Sequence, residues 1–236
     1  DYDRAIADLD QAIKLNGSNA VVFNDRGLAF GAKGDLDRAI KDFDRAIAID
    51  ANYAPAHTNR GVAYGVKGDS DRSIADFDQA IKLDGKIALA YHNRGNAHAR
   101  KRDYDRAIAD LDQAIKLNPE NAQAFHARGL IYQREGRHEL AITDFDNAID
   151  RDPFAGAPYQ ARGQSLIAIG KSDKAIEDFN RALNVDNTNA EAWAGLGLAY
   201  EKSGNREKAV ESYRRVLTFD PNSQIAKEGV ARIGPV

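Results

Sequence analysis

The chain has 236 residues, a formal net charge of -3 and a sequence pI of about 6.0, which gives no sign of the basic face that nucleic-acid binders usually carry. It contains no cysteine, which excludes disulfides and thiolate-bound metals, and no apolar run near 18 residues, so no membrane span is expected. Methionine is absent and no signal-peptide pattern opens the sequence, so we expect a piece of a longer protein. The compartment is left open, with the cytoplasm slightly favoured.

A period of 34 residues divides the chain from its first residues onward. Glycine recurs on this step at Gly27, Gly61, Gly95, Gly129, Gly163 and Gly197, and a bulky residue recurs at Leu9, Phe43, Phe77, Leu111, Phe145, Phe179 and Tyr213. Segment 1–19 is predicted to be a truncated half repeat that holds only a second helix. Six full repeats follow at 20–53, 54–87, 88–121, 122–155, 156–189 and 190–221, and 222–236 is predicted to be a capping helix. A fixed period of this kind indicates a solenoid.

The repeat at 122–155 predicts its own secondary structure most clearly. Apolar and small residues at helical spacing predict a first helix, Gly136 predicts a turn, and a second helical stripe follows before Pro153. Small residues such as Gly129 and Ala141 allow two helices to approach closely, and Phe145 can then fill the groove between neighbouring hairpins. Each repeat is therefore expected to be a helix, a turn, a helix and a turn.

The last full repeat carries a known signature most completely, in Trp193, Gly197, Tyr200, Ala209, Tyr213 and Pro221. With these residues the sequence resembles the tetratricopeptide repeat family over essentially its whole length. The resemblance implies an all-α fold, a right-handed superhelical α-solenoid of antiparallel helix hairpins. It also implies that the first helices line a concave groove in which a peptide or protein segment binds.

One pattern is not required by that family. Arginine stands at the seventh position of five repeats and aspartate at the twenty-third position of the same five, and in the sixth repeat both change, to Leu196 and Ser212. This covariation predicts that each arginine pairs with a carboxylate, either that aspartate or the one at position 25 (Asp44, Asp78, Asp112 or Asp146). The alternative is a row of arginines available to bind an anion.

The family's groove positions define the candidate binding residues. They are Asn24, Leu28, Asn59, Val62, His92, Asn93, Asn96, Arg100, Gln123, His126, Arg134, Gln160 and Gln164. Amide side chains carry both donors and acceptors and suit the backbone of an extended peptide. The locally basic middle repeats favour an acidic segment, unless those residues are only solvated turn residues. The Lys, Asn and Arg residues with which some family members clamp a C-terminal carboxylate are not matched.

The sequence therefore predicts a non-catalytic scaffold with a protein or peptide partner and no nucleic-acid partner. Two alternatives stay open: a non-catalytic targeting arm of a larger enzyme, and a structural protein that self-assembles end to end as a homo-oligomer through its open N-terminal end. No cofactor or metal is expected, because His92 and His126 lack a third converging ligand. There is no cysteine nucleophile, Gly-rich phosphate loop or HExxH motif, so no catalysis is expected.

Overall fold

The computed structural model describes residues 1–234, in which every regular element is one of fourteen α-helices. The first helices of the repeats each begin 34 residues after the last, and they are α2 (Ala20–Ala32), α4 (Ala54–Val66), α6 (Ala88–Arg100), α8 (Ala122–Arg134), α10 (Gly156–Ala168), α12 (Ala190–Lys202) and α14 (Gln224–Ile233). The second helices keep the same step and are α1 (Tyr2–Leu15), α3 (Leu36–Ile49), α5 (Ser70–Leu83), α7 (Tyr104–Leu117), α9 (His138–Arg151), α11 (Ser172–Val185) and α13 (Arg206–Phe219). The predicted all-α solenoid of helix hairpins is confirmed.

The turn inside each hairpin explains where the helices stop. The turn residue has a positive φ, between 73° and 84°, at Gly34, Gly68, Gly136, Gly170 and Gly204. Glycine adopts this left-handed conformation without a steric penalty, so the turn predicted at Gly136 is confirmed. In the third repeat Arg102 takes the same conformation with a φ of 62°. An aspartate often caps the helix that follows; the Asp35 carboxylate accepts the amide N–H of Arg38 at 3.1 Å.

The chain forms two compact units, residues 1–119 and 120–234 within the described part. In the first unit α1 to α7 stack as consecutive hairpins around buried alanines and a large side chain that recurs on the second helix of each full repeat. Phe43 and Phe77 are 3% and 1% exposed. A Cβ added to Gly27 would lie 2.6 Å from Cε1 of Phe43, so this crossing admits only glycine without a shift of the ring.

The second unit, α8 to α14, repeats this scheme with Phe145, Phe179 and Tyr213 as its fully buried rings. Two further glycines contact these rings from the next repeat. A Cβ on Gly195 would lie 2.4 Å from Phe179, and one on Gly229 would lie 2.5 Å from Tyr213. Each of these two rings therefore lies between glycines of two successive first helices.

The row of first helices lies on the inner side of each unit. Successive first helices contact one another in both units, whereas successive second helices do not, within the described residues. When hairpins stack so that only one row of helices touches, the stack curves toward that row. The first helices of each unit therefore form its concave surface, where the groove residues were predicted.

The segment predicted to be a capping helix keeps the register of the repeats. α14 begins at Gln224, one period after Ala190, so it has the place of a first helix. Pro235 and Val236, at the end of that predicted segment, lie outside the described residues. None of the helices between residues 1 and 234 combines the length and the apolar character that crossing a bilayer requires.

Candidate functional site

The fifth position of each repeat in the first unit is buried, which corrects part of the predicted groove. Asn24 is 3% exposed and His92 is 8% exposed, and Thr58 at the equivalent position is also buried. The prediction that Asn24 and His92 are displayed on the groove wall is therefore wrong in this structure. For Asn24 the physical reason is its contact with the next repeat, because its amide oxygen accepts the side-chain N–H of Asn59.

Two of the predicted amides make contacts within the protein. The Asn59 side-chain N–H donates to Asn24 Oδ1 at 2.8 Å. Gln160 donates to the Glu191 carboxylate at 2.9 Å and accepts from the Asn189 side chain at 2.7 Å. Each of these amides joins two successive repeats, and a ligand would have to compete for its polar atoms.

The remaining predicted residues keep an accessible surface on the first helices. Leu28, Arg100, Gln123, Arg134 and Gln164 are exposed, and Val62, Asn93, Asn96 and His126 are partly exposed. In the first unit Val62, Asn93 and Arg100 line a small cleft of about 170 Å³ together with Val66 and the buried ring of Phe77. The structure thus brings together three of the predicted residues at one place.

A larger cleft of about 580 Å³ lies in the second unit, between α10, α12, α13 and α14. Its apolar lining consists of Ile167, Ala190, Ala194, Leu198, Tyr213, Val216 and Ile225. Gln164, Glu191, Asp220, Ser223, Glu228 and Arg232 contribute its polar lining. Among these residues only Gln164 belongs to the predicted binding set.

The cleft lies where glycine occupies the sixth position of the first helix. This position is Asp25, Asn59, Asn93, Ala127 and Ala161 in the earlier repeats, but Gly195 and Gly229 in the last two. Without a side chain at Gly195 the cleft floor consists of backbone and of apolar neighbours such as Ala194 and Leu198. The predicted set contains no residue of the sixth repeat and so missed most of this site, although two successive glycines at one repeat position are a usable signal.

Three carboxylates line this cleft without a cationic partner. Glu191 accepts from the Gln160 amide, Glu228 accepts from the Gln224 amide at 2.7 Å, and Asp220 accepts a backbone N–H at 3.0 Å. All of these donors are uncharged. The negative charge of each carboxylate is therefore not neutralised by a cation among the described residues of the protein.

The only cation that lines the cleft, among the described residues, is neutralised within the protein. Arg232 donates to both carboxylate oxygens of Glu201, at 2.6 and 2.8 Å. The Tyr213 hydroxyl also donates to Glu201, at 3.0 Å. The bond from Arg232 lowers the pKa of the Glu201 carboxyl, and burial raises the pKa of the Tyr213 hydroxyl. The cleft is consequently apolar at its floor and acidic around it.

The arginines at position seven are bound to carboxylates. Nε and Nη2 of each arginine donate to the buried aspartate of the same repeat at 2.6–2.9 Å, in Arg26–Asp42, Arg60–Asp76, Arg94–Asp110, Arg128–Asp144 and Arg162–Asp178. Nη1 donates to the preceding repeat at 2.5–2.6 Å, in Arg26–Asp10, Arg60–Asp44, Arg94–Asp78 and Arg162–Asp146. The predicted pairing is confirmed for all five arginines, and the guanidinium groups that bond to both carboxylates connect three helices each.

Burial shifts the titration of the two predicted histidines. Burial lowers the pKa of His92 and of His126. The His126 ring lies 5.8 Å from the ring of Phe145, centroid to centroid. Across residues 1–234, no three or more His, Asp or Glu side chains are grouped as a metal would require.

Family models match most of the chain. Two models described as tetratricopeptide repeat match residues 58–108 and 92–156 in one case and 190–223 in the other, and a model described as TPR repeat matches 30–68 and 163–204. No protein of curated function matches the sequence.

Solved structures share the fold. A chain of the APC/C hetero-tetramer Cut9–Hcn1 is 18% identical with a TM-score of 0.82; the match covers 100% of this chain and 46% of that one, so this chain spans less than half of that relative. YrrB, described as a TPR protein with an unusual peptide-binding site, is 25% identical with a TM-score of 0.68, and the match covers 79% and 96%. MamA is 28% identical with a TM-score of 0.64, and the match covers 74% and 96%.

Proposed function

Because the chain belongs to the tetratricopeptide repeat family, we propose that it is a non-catalytic scaffold that holds an extended peptide or protein segment against its first helices. The observation that carries this proposal is the cleft of about 580 Å³ on the first-helix side of the second unit. A concave surface with an apolar floor and a few polar groups is the usual form of a ligand site.

Exposed apolar side chains on the inner row support the same role. Val66 is 69% exposed, Leu89 is 53% exposed and Leu28 is 46% exposed, and all three belong to first helices of the first unit. Apolar side chains grouped on a concave face favour association with a partner. The exposed Gln123 and Gln164 side chains offer donors and acceptors for a peptide backbone.

The likeness to YrrB supports a peptide as the partner. That protein is 25% identical and is described as having an unusual peptide-binding site. A role as the targeting arm of a larger enzyme and end-to-end self-association through α1 stay predictions that these contacts do not test.

Selection from a library of displayed random peptides tests the proposal. We expect the chain to enrich peptides whose binding is lost on Leu198→Arg in the second unit or on Val66→Arg in the first. Leu140→Arg is the matched control, because Leu140 is 44% exposed but lies on the second helix α9. Enriched peptides that bind all three variants equally well, or no enrichment at all, would contradict the proposal.

A further inference from the structure

We infer that the cleft between α10, α12, α13 and α14 binds a peptide in which an apolar side chain is flanked by Lys or Arg. This inference rests on the proposed function and names the ligand class of its site. It requires two properties of the cleft. Its floor must be apolar, so that burying an apolar side chain there is favourable, and the groups around the floor must be negatively charged, so that they attract a cation.

The floor provides the first property. Ala194, Leu198 and Val216 present aliphatic groups, and Gly195 presents no side chain. Ile225, on the opposite side of the cleft, is 66% exposed. An aliphatic or aromatic side chain inserted here would remove these groups from water together with its own surface.

The arrangement of carboxylates provides the second property. Glu191, Asp220 and Glu228 accept hydrogen bonds only from uncharged donors, and Arg232 is matched by Glu201. A Lys or Arg beside the apolar anchor would meet several carboxylates without a competing cation. Electrostatic complementarity of this kind mainly fixes specificity and the rate of association, and it weakens as salt screens the charges.

The cleft of the first unit has the opposite character and serves as an internal comparison. There the charged residue on the lining is Arg100, and the amide residue Asn93 lines the same cleft. An acidic peptide would suit that cleft better than the one in the second unit. Selectivity for a basic peptide therefore points to the second unit, and selectivity for an acidic peptide points away from it.

Fluorescence anisotropy with three labelled nonapeptides tests the inference. The first probe has a central leucine flanked by lysines in a Gly–Ser background, the second replaces the lysines with glutamates, and the third replaces the leucine with serine. We expect the first probe to bind at least roughly tenfold more tightly than either of the others at low salt. Its advantage over the glutamate probe should shrink as the salt concentration rises.

Variants of the chain then assign the binding to the cleft. The double change Glu191→Gln and Glu228→Gln is expected to weaken the lysine probe several-fold and to leave the glutamate probe no weaker. The matched control is Glu207→Gln with Glu211→Gln, two exposed carboxylates on α13 that do not line the cleft. Thermal unfolding of each variant verifies that it is folded.

Several results would overturn the inference. They are equal or tighter binding of the glutamate probe, no binding of the lysine probe, and equal effects of the cleft variant and its control. If the display selection still yields peptides sensitive to Val66→Arg, the proposed function stands while the inference falls. A molecular mass that rises with concentration and is reduced by Leu198→Arg would instead assign the cleft to a second copy of this chain.

Discussion

Removal of one of the position-seven arginines that are bound to buried aspartates should destabilise the fold more than removal of an ordinary surface ion pair. Arg162 donates to Asp178 at 2.8 and 2.6 Å and to Asp146 at 2.5 Å. Asp178 is 4% exposed, so Arg162→Leu leaves a buried carboxylate without its partner, which costs about 3–5 kcal/mol. Asp146→Ala should cost about 1 kcal/mol or less, because that carboxylate is half exposed.

The chain itself suggests the compensating change. In the sixth repeat the same two positions are Leu196, which is buried, and Ser212, whose hydroxyl donates to the Lys208 carbonyl at 2.7 Å. The double variant Arg162→Leu and Asp178→Ser reproduces that combination. We expect it to be about 2 kcal/mol or more stable than Arg162→Leu alone, since a buried pair can be replaced by an apolar contact at little cost.

The assay is urea unfolding followed through Trp193, the single tryptophan, which packs in the same apolar cluster as Phe179. The pH dependence gives an independent measurement. Burial raises the pKa of the Asp178 carboxyl, and the bonds from Arg162 oppose this; the hydrogen bond to Asp178 in turn raises the pKa of Arg162, so the pair stays ionised in the parent chain.

In Arg162→Leu the lowering by Arg162 is lost, while burial and the charges of Asp146 and Glu177 still raise the pKa of Asp178. Folded Asp178 then keeps a proton that the unfolded chain releases above about pH 4. Because the pKa of Asp178 is higher in the folded variant than in the unfolded one, the proton stabilises the folded variant below about pH 4, and this stabilisation is lost as the pH rises. The difference in the free energy of unfolding between the parent chain and Arg162→Leu should therefore be smallest near pH 4 and should grow toward pH 7. A double variant no more stable than Arg162→Leu, or a deficit independent of pH, would refute the reasoning.

Five further single changes test the packing and the backbone of the first unit. Gly27→Ala should destabilise by about 1–3 kcal/mol because its Cβ would meet Phe43, whereas Gly31→Ala on the same helix has its nearest atom at 3.9 Å and should raise the melting temperature by improving helix propensity. Asn59→Ala should cost about 1–3 kcal/mol by leaving buried Asn24 without its donor, while Asn93→Ala should change the free energy of unfolding by about 0.5 kcal/mol or less. Arg102→Gly should raise the free energy of unfolding by about 1 kcal/mol, because glycine adopts the φ of 62° without the steric penalty that arginine has there. An unchanged urea midpoint would contradict this.

The helices and their core were predictable from the sequence because the repeat fixes them. The 34-residue step of Gly129 and Phe145, and of their equivalents, encodes which small position meets which ring. The arginine pairing was also predictable, because Leu196 and Ser212 change together. Periodicity and covariation reveal which residues contact each other, and this does not require knowing how deeply each residue is buried among the stacked helices.

The candidate site was less predictable because accessibility depends on neighbours in the stack. The predicted groove residues include Asn24, yet its amide is covered, and they leave out Leu198, although it stands at the same repeat position as Leu28. Gly195 lines the cleft, and the Phe179 ring occupies the place of its missing side chain, since an added Cβ would lie 2.4 Å from that ring. That relation joins two repeats in space and cannot be read from the chemistry of one position.

Helices α1 and α7 have the same sequence in different surroundings, so they can be compared directly. Residues 1–16 and 103–118 are identical in sequence, yet α1 has no buried residue while Ala107, Leu111 and Ala114 of α7 are 0% exposed. Amide hydrogens in the two segments share the same intrinsic chemistry, so any difference in their deuterium uptake reports only on their surroundings. The ratio of their protection factors thus measures directly how much one helix gains from having neighbours.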